Sequence, residues 1–357
     1  IFLITTSILI NFLLASLIIN YQKESKKWFY FVGIIFNLGL LTYFKYTNFL
    51  IFNINAAFKL NIETQDIFLP LAISFFTFQQ IAFLSDTIKN KVQNLTIAKY
   101  ILFISFFPQL IAGPIIRYYD IVPQFFKKKS HIFRHSNFFL GFSLFTLGLG
   151  KKVLIADKLG PFVDLVFASS LENNYIHPLD CLIGSIAYSF QLYFDFSGYC
   201  DMAMGLAKML NINLPLNFNS PYKSKSIIDF WRRWHITLTK FLTEFVFTGT
   251  NLKLSRSFLF HKGTFFTSNT ALYFSIIFTF ALSGIWHGAG WNFLIWGIFH
   301  GVLIILNYIW INFKKKLKII KLDKNRTYTN FSRIFTFFLV TLSFIFFRAE
   351  NVSSALN

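Results

Sequence analysis

Of the seven histidines in this 357-residue chain, two stand out in apolar context, His287 and His300, and the first has surroundings suited to chemistry. His287 lies in Ser283-Gly-Ile-Trp-His-Gly-Ala-Gly-Trp-Asn292, between the apolar stretches Phe280-Ala-Leu282 and Phe293-Leu-Ile-Trp296. Imidazole is the side chain that titrates near neutral pH, and it can take a proton from a hydroxyl as that hydroxyl attacks a carbonyl. Gly284, Gly288 and Gly290 would let backbone or substrate approach it closely, Trp286 and Trp291 could wall a site, and Asn292 adds an amide. A core histidine bonded to a neighbouring carbonyl is the competing reading, and the residues alone leave both open. His300 follows 13 residues later, about 220° round a continuous helix, so the two are not expected to share a face. A metal pair is therefore not expected. The HExxH motif and clusters with zinc spacing are absent, as are a serine elbow and a phosphate-binding glycine loop.

Three further stretches hold polar groups in apolar company, where ionisable residues are costly and so become functional candidates. Gln191–Gly205 carries Asp195, Tyr199 and Asp201; either carboxylate can line an aqueous tunnel or pair with Arg232. The turn-forming run Leu214–Tyr222 leads into Asp229–Phe247, where helical spacing puts Trp231, Trp234, Leu238, Phe241, Leu242 and Phe245 on one face. Arg232, Arg233, Thr239, Lys240, Thr243 and Glu244 fall on the other. That pattern predicts an amphipathic helix at the membrane interface or over a bundle, with His235 at the margin of its apolar face and Asp229 near its N-terminus. Tyr100–Ile116 is barely long enough to cross a bilayer and contains Pro108, Gln109 and Gly113-Pro114, with basic residues before and after it. A re-entrant hairpin beside a cavity satisfies that pattern, because non-helical backbone at membrane depth must be covered by protein or by water.

The elements that must position these groups are set by composition. The chain is 55% hydrophobic and only 14% charged, against about 25% charged in soluble domains, and its mean hydropathy is +0.53. Apolar runs cover Ile1–Tyr21, Trp28–Phe58, Phe68–Phe83, Phe138–Leu149, Leu179–Tyr193, Ala271–Trp286, Trp291–Phe313 and Phe331–Phe347. Most approach the roughly 17–25 residues that span hydrocarbon, and they are continuous rather than alternating, which argues for helices and against a barrel. The net charge of +19 sits in short clusters between the runs. Such placement fits the positive-inside rule and not a nucleic-acid surface. Lys23, Lys26 and Lys27 put the first loop in the cytoplasm, Lys59, Glu63 and Asp66 leave the second outside, and Lys89, Lys91 and Lys99 return the third inside. Cys181 and Cys200 read as buried thiols, not as a disulfide framework. We expect one all-α membrane domain over residues 1–357, with no internal repeat. A start inside an apolar run without Met, and a stop soon after Phe347, lead us to expect truncation at both ends.

Six motifs, in order, resemble those of the membrane-bound O-acyltransferases: Ser74-Phe-Phe-Thr-Phe-Gln-Gln80, Phe106–Arg117, Phe194-Asp-Phe-Ser-Gly-Tyr199, Asp229-Phe-Trp-Arg-Arg-Trp-His235, Ser283–Gly288 and Phe346-Phe-Arg-Ala349. Asn37-Leu-Gly-Leu40 and Phe44-Lys-Tyr46 extend the resemblance over nearly the whole chain. Within the family, Gln109 and Ala112 look closer to the branch that acetylates alginate or peptidoglycan than to the branch that transfers D-alanine to teichoic acid. The resemblance implies a funnel of tilted helices around a central tunnel, with His287 essential to transfer and His235 at the family's second position. It implies acetyl-CoA as donor substrate and no permanently bound cofactor. The acceptor would be an envelope glycan reached through an SGNH-type, esterase-like periplasmic partner, in a multi-pass protein of the bacterial cytoplasmic (inner) membrane. The pattern departs at Phe241-Leu-Thr-Glu-Phe245 and Thr248-Gly-Thr-Asn251, where relatives carry Trp-Leu-Arg-Asp-Tyr and Pro-Leu-Gly-Gly-Asn. A carrier of activated acyl groups or lipid-linked sugars, and a non-catalytic scaffold, are the alternatives from other functional classes.

Overall fold

The computed structural model describes residues 2–21, 23–111, 113–171, 177–257 and 265–356. Among them no β-strand occurs, and six helical stretches are long and apolar enough to cross a membrane: Phe2–Asn20, Glu24–Phe58, His135–Leu171, Asn269–His287, Trp291–Lys316 and Arg326–Arg348. Helices are what hydrocarbon permits, since each satisfies its own backbone groups. The protein is an all-α, multi-pass membrane protein. Its contacts divide it into two units, Ile1–Gly150 with Gly198–Pro215, and Lys151–Ser197 with Leu216–Asn357.

The first unit holds α1 (Phe2–Asn20), α2 (Lys23–Phe58), α3 (Ile73–Ile88), α4 (Ile97–Ile104), α5 (Tyr118–Phe125) and α6 (His135–Gly150). Polar residues in these helices satisfy one another, as a medium without water demands. Asn11 and Asn37 exchange amide hydrogen bonds at 3.2 and 2.7 Å. Gln80 donates to Ser7 Oγ at 3.1 Å and accepts from the Tyr100 hydroxyl. Both α4 and α5 have eight residues, about 12 Å of helix, far short of a crossing. Between them the backbone is non-helical over the described part of 105–117. The apolar run Phe68–Phe83 is likewise only partly helical, because α3 starts at Ile73 behind a left-handed Ala72.

The second unit holds α7 (Asp157–Leu171), α8 (Pro178–Met209, of which residues 198–209 belong to the first unit), α9 (Ile227–Trp231), α10 (Ile236–Leu242), α11 (Thr248–Arg256), α12 (Phe265–His287), α13 (Trp291–Lys316), α14 (Arg326–Arg348) and α15 (Val352–Leu356). The single amphipathic helix expected over Asp229–Phe247 is broken. The chain leaves helical geometry after Trp231, turns through a left-handed His235 (φ 42°) and resumes as α10, followed by a π-helical stretch, Thr243–Phe247. Trp231, Trp234, Leu238, Phe241 and Leu242 are buried all the same, so burial follows the apolar pattern while the backbone does not. Ser226 caps α9 by accepting from Asp229 N, and Asp229 accepts from the N–H of Lys225 just ahead of the cap.

Helices α12 and α13 form an antiparallel hairpin with backbones in contact. A Cβ on Gly284 would fall on the carbonyl oxygen of Phe293, and one on Gly297 on that of Phe280. Small residues at this crossing are what allow so close an approach. Overpacking such a contact costs about 1–3 kcal/mol or more, so Gly297→Ala should lower the thermal midpoint of the detergent-solubilised protein, whereas Gly249→Ala, with open space around it, should not.

Candidate active site

The hairpin turn carries the candidate His287. Helix α12 ends at His287, Gly288-Ala-Gly290 makes the turn, and α13 starts at Trp291. A Cβ at Gly288 would strike the Phe293 ring, so this turn needs glycine for space. His287 is half-buried and ringed by Trp286 (4.8 Å between ring centroids), Trp296 (5.1 Å) and Phe347 (5.2 Å). The Trp296 indole N–H and the Ser283 hydroxyl are buried and have no hydrogen-bond partner among the described residues. Buried polar atoms are nearly always paired, so these two mark places where a bound group or a water would be held.

His300 shares this shell, contrary to the expectation from helical spacing. Its ring lies 5.0 Å from Trp296, the indole that also faces His287. The 220° argument requires one continuous helix, and Gly288–Gly290 breaks it. Those glycines were the signal in the sequence that the two histidines belong to different helices. The hydrogen bonds of His300 fix its tautomer. Trp231 Nε1 can only donate, and it reaches His300 Nδ1 at 3.3 Å; Nε2 therefore carries the proton and donates to Ser343 Oγ at 2.9 Å, which in turn donates to the Val340 carbonyl at 2.6 Å. Both ring nitrogens are committed, which makes His300 a positioning residue for Trp231 and Trp296.

His235 is buried in different company, against Phe196 (4.8 Å) and Phe218 (6.4 Å). Asn217 Oδ1 lies 3.2 Å from its Nδ1 and accepts from Thr237 N and Oγ1 as well. An oxygen acceptor requires the proton on Nδ1, leaving the Nε2 lone pair open. Burial pushes the imidazole down to about 3, so it is neutral at physiological pH. A series of aromatic contacts leads from Phe218 to Trp234 (5.0 Å), Phe344 (5.4 Å) and Phe347 (6.3 Å), and so to His287.

The other candidates separate by unit and by task. Trp231 is buried on the shell of His300, 5.1 Å away. Trp291 is half exposed, and Asn292 spends its amide on the Phe346 and Ala349 carbonyls at 3.2 and 2.7 Å, tying α13 to the end of α14. Asp195 pairs with Lys152 at 2.6 Å, which also holds Asp157, so its partner is not Arg232. Arg232 is exposed; the arginine that pairs locally is Arg233, with Asp229 at 2.9 Å. Tyr199, Pro108, Gln109, Gly113 and Pro114 belong to the first unit. There Gln109 is held by the Phe103 carbonyl, and Gly113 packs on Gln109 too tightly for a Cβ. Arg348 bonds Asp164 at 2.7 Å. Among the described residues no three His, Cys, Asp or Glu side chains gather as a metal would require.

The sequence signature of the membrane-bound O-acyltransferase family matches residues 87–348. The chain belongs to that family. The matched stretch includes every residue singled out above as a site candidate, and the family is one of acyltransferases. A peptidoglycan O-acetyltransferase of Helicobacter pylori is 39% identical over 383 residues, taking in 99% of this chain and 68% of the relative. A probable alginate O-acetylase of Azotobacter vinelandii is 36% identical, covering 93% of this chain and 62% of the relative. A teichoic acid D-alanyltransferase of Streptococcus thermophilus is 28% identical, with 80% and 69% covered. The chain thus spans about two thirds of the length of these acyltransferase relatives.

Removing the His300 ring would leave the Trp231 indole N–H without its acceptor and Ser343 Oγ without its donor, around a cavity. His300→Ala should destabilise by about 3 kcal/mol in detergent unfolding, and a variant as stable as the parent would refute the positioning role. For His235 the pKa falls from an ordinary 6.5 to about 3 on folding. The unfolded chain then binds the extra proton between those values, and stability drops as pH is lowered through that window, by on the order of 3 kcal/mol at pH 4. Thermal unfolding at pH 7 and pH 4 should show a shallower acid loss in His235→Gln than in the parent protein.

Proposed function

We propose that this protein is the O-acetyltransferase of a bacterial inner membrane, moving acetyl groups from cytoplasmic acetyl-CoA to hydroxyls of an envelope glycan, peptidoglycan or an alginate-like polysaccharide. The observation that carries the reading is the state of the three histidines around the aromatic shell. His235 and His300 are wholly buried, and His300 has both nitrogens engaged; His287 alone is half-exposed, at a glycine turn beside two unpaired polar atoms. Acetyl is favoured over D-alanyl because the acetylating relatives are the more similar, 36–39% against 28%.

In this mechanism His287 takes the proton of the acceptor hydroxyl as its oxygen attacks the thioester carbonyl. The tetrahedral adduct collapses, the C–S bond breaks, and the imidazolium returns the proton to the departing CoA thiolate, giving ester and free thiol. The Trp296 N–H is a donor available to the developing oxyanion, and Trp286, Trp296 and Phe347 exclude water that would hydrolyse the thioester. His235 supports the site from a neighbouring aromatic layer. The accepting hydroxyl belongs to the glycan itself or to an SGNH-type periplasmic partner that relays the group. Residues 1–357 act as one membrane domain in this reading, and Pro108, Gln109, Gly113 and Pro114 line part of its tunnel.

His287→Ala should abolish transfer of labelled acetate from acetyl-CoA to the wall or capsule glycan while the protein remains folded in the membrane. Full ester content in that variant would remove His287 from the chemistry. A carrier without acyltransferase activity would leave acetyl-CoA uncleaved by the purified protein.

A further inference from the structure

Beyond the His300–Ser343 bond, the C-terminal half of α13 and the N-terminal half of α14 border a cavity of about 700 Å³, which residues 225–227 also line. Its walls are apolar at one end, with Leu303, Leu306, Phe331, Phe335 and Leu339, and polar at the other, with Lys225, Ser226, Lys314, Asp323, Tyr328 and Thr329. No residue assigned to acyl transfer lines it.

Three observations bear on what it holds. Leu306, Trp310, Phe331 and Phe335 are 40–63% exposed on helices that span the membrane, so this wall opens sideways into lipid rather than into water. Trp310 donates from Nε1 to the Tyr328 hydroxyl at 2.9 Å. A Trp–Tyr pair of this kind sits where hydrocarbon meets head groups, and it places the depth of the cavity mouth. One turn further on, the mouth is cationic. Lys314 is buried, paired with Asp323 at 2.5 Å and set over the Tyr328 ring, while Lys225 is exposed and has no ion pair among the described residues. Residues 314–326 add seven basic side chains against one acid, a density that marks the cytoplasmic side and attracts anionic lipid.

We propose that this cavity binds one anionic glycerophospholipid, its phosphate drawn to Lys225 and Lys314 and an acyl chain lying along Leu306, Phe331, Phe335 and Leu339. A volume of this size suits a ligand of drug dimensions or one lipid chain with its glycerol. The site depends on membrane embedding and not on the reaction proposed above. A zwitterionic lipid has the same chains but lacks the net charge that the lysine mouth selects.

The test is native mass spectrometry of the purified protein in mixed micelles holding equal phosphatidylglycerol and phosphatidylcholine. The protein should retain one phosphatidylglycerol in preference to phosphatidylcholine. Lys225→Gln, a change at an exposed position, should weaken that retention about fivefold, the worth of one lysine near an anionic head group. Ser332→Trp, which fills the cavity from α14, should abolish it, with thermal melting in lipid-free micelles confirming that the variant is folded. Equal retention of the two lipids, undiminished phosphatidylglycerol on both variants, or displacement of the lipid by millimolar acetyl-CoA would each overturn the assignment.

Discussion

The backbone contact between α12 and α13 at Gly284 and Gly297 is the constraint on which the site rests. Two membrane helices gain nothing from the hydrophobic effect when they associate, so close packing must hold them, and only glycine lets the carbonyls of Phe280 and Phe293 approach so near. That contact sets the register of the hairpin. The register brings Trp296 back against His287, and the same indole then reaches His300.

Around this hairpin, polar side chains are held by specific partners. His300 is fixed between an indole and a serine, Asn292 is spent on two carbonyls at the end of α14, and Asp195 is held by Lys152. His300 and Asn292 are buried groups that would be costly to leave unpaired. What remains partly open is His287 with its unpaired neighbours. A membrane-embedded acyltransferase benefits from such pairing, because every additional unpaired group in hydrocarbon would weaken the fold.

The first unit solves the same problem without catalytic candidates among its spans. Asn11, Asn37, Ser7, Gln80 and Tyr100 close a network on themselves, and the Gln109 side chain binds the Phe103 carbonyl to shape the glycine-proline stretch. Several motif residues that resemble the family's, Gln80 and Gln109 among them, are thus engaged by hydrogen bonds within this unit. At the other end of the second unit, the lysine-rich junction of α13 and α14 combines an aromatic interface pair with an apolar cavity, properties of a surface that meets lipid.

Apolar length and charge placement by themselves determined that the chain is helical and crosses a membrane, because no other element satisfies backbone groups in hydrocarbon. Ordered motifs also sufficed for the family, and the glycine-flanked His287 for the candidate site. The burial of Trp231, Trp234 and Leu238, spaced as one helix face, was equally legible. The break at His235 was not, since a left-handed turn closed by Asn217 depends on a side chain 18 residues away. Nor were the partners of Asp195 and His300, which lie on other helices. Helical arithmetic covers one continuous element at a time, so the meeting of His287 and His300 on one indole was decided only by how α12 and α13 fold back on each other, a consequence of two glycines and the van der Waals contact they allow.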